Sequence, residues 1–202
     1  MTYTIMPYNK DFPNNFPQAK IENYYKESAS QPVAFACLAY DEGGIHVYQK
    51  AFETEIKAVM TEQNSDVYKD SCLEFFINFS PEQTDDYLNY EINPLGVMHL
   101  GLGPDRYCRT LLFDSDKNYF NIKCLDSIDE FNKEYWEISY YIPFEYICKH
   151  FPGFSLENTF KGNFFKIGDQ CKLPHYGTYA KVDTPTPDFH RREFFSDFVI
   201  GK

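Results

Sequence analysis

The sequence predicts an all-β chain, an antiparallel β-sandwich with one short helix. Short runs rich in Val, Ile, Phe and Tyr recur along most of its 202 residues, turn-forming residues separate them, and helical periodicity is scarce. Aromatic residues make up 19% of the chain, with 20 Phe and 17 Tyr against a single Trp, Trp136, more than an average soluble domain needs to fill its core. A chain of this length is expected to form one domain over residues 1–202, burying roughly 70% of its unfolded surface.

Taken in order, residues 1–30 contain Pro7, Pro13 and Pro17 and are expected to form an irregular segment wrapped on the sheet. Residues 32–40 and 44–52 are β-prone and flank Asp41-Glu42-Gly43-Gly44, which predicts a hairpin. Further strands are expected at residues 72–78, 87–93, 97–102, 119–125, 134–142, 162–167 and 195–200. The run "PFEYICKHF" after Ile142 opens with Pro143 and spaces its apolar residues three to four apart, which predicts the helix. No linker, repeat or low-complexity tract divides the chain.

Composition narrows the function. The formal charge of -11, from 19 Lys and Arg against 30 Asp and Glu, disfavours nucleic acid and anionic membrane surfaces, which require a basic footprint. No stretch has the length of a membrane span, and "MTYTIMPYNKDF" lacks a basic region followed by an apolar one. A soluble, cytoplasmic protein is therefore expected; secretion is the alternative if a leader lies outside this sequence. Six cysteines show no C-x-x-C spacing, so reduced thiols are expected rather than a zinc site or redox pair. No cofactor is implied. A structural calcium in the acidic loop "SPEQTDDY" stays open, although it fits no EF-hand and solvated acids explain it as well. Met98-His99 does not suggest a haem site, because neighbours in a strand point to opposite faces. No motif fixes the oligomeric state.

Two strands raise a sharper question. "DSCLEFFINF" and "YLNYEIN" are strongly apolar yet carry Glu74 and Glu91. Alternation puts Leu73, Phe75 and Ile77 on one face and Glu74 on the other; Glu91 likewise shares a face with Asn89 and Asn93. If the strands are neighbours, Glu74, Asn89, Glu91 and Asn93 line one floor. Periodicity alone favours a plainer explanation, the wet side of a half-exposed antiparallel sheet.

The order of "VYKDSCLEFFINF", "YLNYEINPLG", "GNFFKIGD", "PHYGTY" and "TPDFHRREFFSDFVI" resembles the family 9 carbohydrate-binding modules, in particular their stand-alone relatives, over roughly residues 32–200. The resemblance implies a jelly-roll β-sandwich and non-catalytic binding of a mono- or oligosaccharide or of a glucan or xylan chain end, in the service of polysaccharide catabolism. Two aromatic rings would clamp a sugar ring while polar side chains hold its hydroxyls. Carried over by position, Tyr68 is the first clamp ring, a place where xylanase-attached modules have Trp, and Glu74 is the hydroxyl acceptor. Glu91 falls at a sugar-contacting position where those modules carry a basic residue. Lys166 is implied as a donor able to pair with one of these acids. Tyr176 and Tyr179 are the candidates for the second ring, and Arg106 and Arg109 for cations within reach of the sugar. His175 and His190 sit in matching motifs, where a structural hydrogen-bond role is the commoner one. The alternative function is a glycoside hydrolase using Glu74 and Glu91, since retaining chemistry needs two carboxyl groups roughly 5 Å apart and cross-strand neighbours approach that spacing. Binding ranks above catalysis, because the family supplies attachment and leaves cleavage to partner domains.

Overall fold

The computed structural model describes residues 1–113, 118–128 and 134–201. In chain order the strands are β1 (Thr2–Pro7), β2 (Ala19–Ile21), β3 (Asn23–Tyr24), β4 (Val33–Tyr40), β5 (Gly44–Phe52), β6 (Cys72–Asn78), β7 (Tyr87–Ile92), β8 (Met98–Gly103), β9 (Thr110–Leu111), β10 (Lys123–Ile128) and β11 (Glu134–Pro143). Helix α1 (Phe144–His150) follows, then β12 (Phe160–Gly168), β13 (His175–Thr178) and β14 (Ser196–Ile200). One half of the fold runs β14-β12-β6-β7-β8-β9, and the other runs β4-β5-β11-β10. Strand β1 joins them, pairing its first residues with β14 and Met6 and Pro7 with β4.

Both of those pairings are parallel, so the expected purely antiparallel sandwich is corrected to a curled, mixed sheet. A parallel pair needs a long crossover, and the chain between β1 and β4 supplies one. The irregular segment expected over residues 1–30 is corrected as well, since it contains β1, β2 and β3. The expected hairpin is present as β4 and β5, closed by Asp41, whose Oδ1 accepts from the backbone of Gly43 and Gly44. The strand expected over residues 119–125 begins later, at Lys123; Tyr119 to Asn121 form a turn. The predicted helix is present and buries Tyr146 and Ile147.

The two halves pack their inner faces together. Leu73, Phe75 and Ile77 of β6, Leu88, Tyr90 and Ile92 of β7, and Phe164 of β12 join Leu38, Val47, Trp136 and Ile138 in one core. A second core covers the opposite face of β6 and β12. There Cys72, Phe76, Phe165 and Ile167 lie beneath Val67, Val182, Phe189 and Phe195, which come from the segments before β6 and before β14. Every residue of β6 and β7 is buried. The face carrying Glu74 is thus an enclosed surface rather than the wet side of a half-exposed sheet.

Asp70 anchors the covering segment. Its Oδ2 accepts from the backbone N–H groups of Val59 (2.9 Å) and Met60 (2.8 Å) and from Asn93 Nδ2 (3.0 Å). Asn93 Oδ1 in turn takes the N–H groups of Leu95 and Val97, shaping the β7–β8 turn, where Gly96 has φ +73. Asp70→Ala strands three donors in a buried setting. It is expected to cost about 2–4 kcal/mol, read as a lowered midpoint in chemical denaturation.

Candidate functional site

Strand register assembles the site. Glu74 of β6 stands opposite Glu91 of β7, which stands opposite His99 of β8, while Asn89 lies between Phe76 and Gly101. All of these side chains share the enclosed face. After β8 the chain turns back and lays Arg109 across it. Two glycines make the room: a β-carbon at Gly101 would stand 2.6 Å from Asn89 Oδ1 and 3.3 Å from Arg109 Cδ, and one at Gly103 would meet Arg109 Cα at 2.6 Å.

The electrostatics are uneven across the acid pair. Glu91 Oε1 accepts from Asn89 Nδ2 at 2.9 Å and lies 3.5 Å from Arg109 Nη1. Burial pushes the Glu74 carboxyl well above its ordinary value, and the negative charge of Glu91 adds to this; Arg109 and Arg106 offset only part of it. The fold therefore favours the protonated form of Glu74, which both donates and accepts.

Arg109 Nη1 also donates to His190 Nε2 at 3.0 Å. Because an arginine only donates, that nitrogen accepts, so His190 carries its proton on Nδ1 and presents it to the Tyr87 hydroxyl at 2.7 Å. Burial and the neighbouring Arg109 and Arg106 push the His190 pKa down to about 2, keeping the ring neutral. His99 Nδ1 donates to the carbonyls of Asn64 (3.1 Å) and Ser65 (3.2 Å), which leaves Nε2 as an acceptor. Among the described residues, His99 Nε2 and Asn89 Oδ1 are buried without a hydrogen-bond partner. This floor offers acceptors that await donors.

The aromatic candidates divide. Tyr68, in a 3-10 turn over Val67–Lys69, and Tyr176 of β13 are half-buried against the second core, on the Glu74 side. Asp169 ties them together: its N–H donates to the Tyr68 carbonyl (3.1 Å), and its Oδ1 accepts from the Tyr176 hydroxyl (2.8 Å). Tyr179 instead belongs to the inner core, edge-on to Tyr3 and Phe164, and so stands on the other side of the sheet.

Lys166 is also displaced from expectation. It pairs across β12–β6 with Leu73 rather than beside Glu74, so it points inward and reaches neither Glu74 nor Glu91. Its ammonium lies 2.6 Å from Glu53 Oε2, 2.8 Å from His175 Nε2 and 3.0 Å from the Ile167 carbonyl. His175 is held in this cluster, its Nδ1 donating to the Leu173 carbonyl and its Nε2 accepting from the ammonium. Sequence reasoning missed Glu53, His99 and Tyr87; alternation marked His99 as facing away from Met98, but nothing in the linear pattern tied it to the acids.

The family model for carbohydrate-binding family 9 matches residues 13–200. The chain belongs to carbohydrate-binding family 9. Comparison with curated proteins gives no significant match. Among solved structures, a candidate carbohydrate-binding protein from Bacteroides uniformis ATCC 8492 superposes with a TM-score of 0.80 at 24% identity, covering 100% of this chain and 98% of that one. A family 9 module from Caldicellulosiruptor kristjanssonii in complex with cellotriose gives a TM-score of 0.59 at 12% identity, covering 99% and 93%; its glucose complex gives 0.58 at 13%, covering 100% and 95%. At these identities the likenesses show a shared family 9 fold.

The raised Glu74 carboxyl has a stability consequence. Its folded-state pKa lies above the unfolded value, so the unfolded chain ionises first, and stability falls as pH rises above about 4.3. Glu74→Gln removes that penalty. Relative to wild type, the variant should gain little near pH 4 and progressively more toward neutrality, by up to about 1.4 kcal/mol per pH unit, in urea denaturation at a series of pH values.

Proposed function

We propose that this protein binds carbohydrate without cleaving it, on the face formed by β6, β7 and β8. The observation that carries this reading is the pair of buried, unpartnered acceptors, Asn89 Oδ1 and His99 Nε2, beside the acid pair Glu74 and Glu91. A buried acceptor without a donor is costly, and sugar hydroxyls supply donors in number. Arg109 complements them by donating to hydroxyl oxygens, as Glu74 does in its protonated form, and half-buried Tyr68 and Tyr176 are the rings available to stack on the C–H side of a pyranose.

The ligands of relatives support a choice of ligand class to test. The Caldicellulosiruptor kristjanssonii module was captured with cellotriose and with glucose, which makes a mono- or oligosaccharide of glucose type the ligand to test first; a glucan or xylan chain end is the wider class that the family resemblance implies. Hydrolysis is less well supported. Glu74 and Glu91 leave neighbouring strands in the same direction, side by side, whereas a glycosidase places its two carboxyl groups on either side of the scissile bond.

Titration calorimetry with glucose, cellotriose and xylotriose tests the reading, alongside an assay for released reducing sugar. Saturable binding without release is expected. Glu91→Ala and Tyr68→Ala should each weaken it about 10-fold or more, the loss of one charge-assisted hydrogen bond or one stacked ring. Tyr179→Ala should instead lower thermal stability. Undiminished affinity in both site variants would remove the site assignment, and steady release of reducing sugar would favour the hydrolase.

A further inference from the structure

A second hollow lies outside this site. A cavity of about 550 Å3 opens where the ends of β4 and β5 meet the turn between β12 and β13. Its floor holds Glu53, 9% exposed, and His175, 3% exposed. Both are locked from behind. Glu53 Oε1 accepts from the Ser71 hydroxyl and Oε2 faces Lys166 Nζ at 2.6 Å, while His175 Nδ1 donates to the Leu173 carbonyl at 2.9 Å and Nε2 accepts a hydrogen bond from the Lys166 ammonium at 2.8 Å. Burial works against the Glu53 carboxylate, but the Lys166 ammonium outweighs it and holds the carboxyl below its ordinary value. A fixed, charged acceptor thus sits at the base of a half-open hollow.

A neighbouring cavity of about 300 Å3 shares Gln31, Pro32 and Val33 with the first. The two are successive stretches of one furrow crossing the start of β4. Val33 and Phe35, two residues apart on that strand, share a face with Phe52, the cross-strand partner of Val33. Phe35 and Tyr24 stand in one hollow and Phe52 in the other, with the Gln31 amide between.

We propose that this furrow is a second binding site, taking an extended, uncharged saccharide chain of two or more rings. The inference rests on the carbohydrate reading and adds a site on the opposite side of β12 from the Glu74–Glu91 face. Three features select the ligand. The furrow is longer than one sugar ring needs, with a combined size in the range of small-molecule sites. Its aromatic walls alternate with acceptors, which suits rings that are apolar on their faces and hydroxylated at their edges. Glu22, Glu53, Glu55 and Glu134 outnumber Lys20 and Lys172, so a polyanion is repelled. A peptide cannot add itself as a strand to β4, which is already paired by β5 on one side and by β2 on the other.

Calorimetric stoichiometry with cellotriose and xylotriose provides the test. Four proteins are compared: wild type, Glu91→Ala with Tyr68→Ala, Val33→Arg, and the triple variant. Val33 is 67% exposed, so an arginine there obstructs the furrow without entering the core, and matched melting curves check this. Two equivalents are expected for wild type and one for either the double variant or Val33→Arg, with at least a 10-fold loss of the remaining affinity in the triple variant. Failure of both sugars to bind wild type overturns the carbohydrate reading and this proposal with it. A single equivalent abolished by the double variant overturns the furrow alone, as does a residual equivalent insensitive to Val33→Arg.

Discussion

The constraint on which the structure depends is that β6, β7 and β12 are covered on both faces. A sheet in that position is normally apolar throughout, because a polar group shut away from water must find a partner, lose its charge or remain costly. This chain uses all three outcomes. Asp70 gathers three donors, and Asn163 both donates to the Ala180 carbonyl and accepts from its N–H. Burial and the charge of Glu91 drive Glu74 toward its neutral form. Asn89 Oδ1 and His99 Nε2 remain unpaired, and they are the groups a ligand can repay.

The same logic explains a lysine between the sheets. Lys166 is fully buried beside Trp136, where a lone ammonium would be prohibitive. Three acceptors meet it: Glu53, His175 and the Ile167 carbonyl. Its charge and that of Glu53 cancel inside the fold, and burial together with that ammonium lowers the His175 pKa to about 4, so the imidazole accepts rather than competes. The cluster therefore stiffens the corner where β5, β12 and β13 converge, and the furrow inherits a rigid floor.

Much of this was legible in the sequence. The run at residues 72–78 forms β6 with those limits, the Asp41–Gly44 turn closes the hairpin, and alternation put Glu74 and Glu91 each on the polar side of its own strand, so that they share a face once the structure pairs the two strands. The N-terminal strands were hidden because β2 and β3 span only three and two residues, prolines punctuate the segment between β1 and β2, and their β structure comes from partners outside it, β14 and β4 for β1, β4 for β2 and β13 for β3. The face of Lys166 was hidden for a different reason. In "NFFKIG" both faces carry phenylalanine, Phe164 inward and Phe165 outward, so periodicity cannot orient the lysine. Tyr179 lies just beyond β13, where alternation along the strand no longer governs direction. Glu53 became meaningful only once Lys166 was seen to turn toward it.

Charge balance at the Glu74 site restricts what it can accept. The chain is strongly acidic, yet Arg109 and Arg106 are drawn to this face, Arg109 between Glu91 and neutral His190 and Arg106 onto Asp188 at 2.9 Å. An anionic ligand would have to pull Arg109 from Glu91, leaving a nearly enclosed carboxylate exposed to Glu74. A cationic one would compete with Arg109 for the same carboxylate. A neutral polyol disturbs neither pair, and it meets acceptors on Asn89 and His99 that no side chain fills. The selectivity proposed for this face would follow from its arrangement: the charges are already matched, and hydrogen-bonding capacity is what remains to be satisfied.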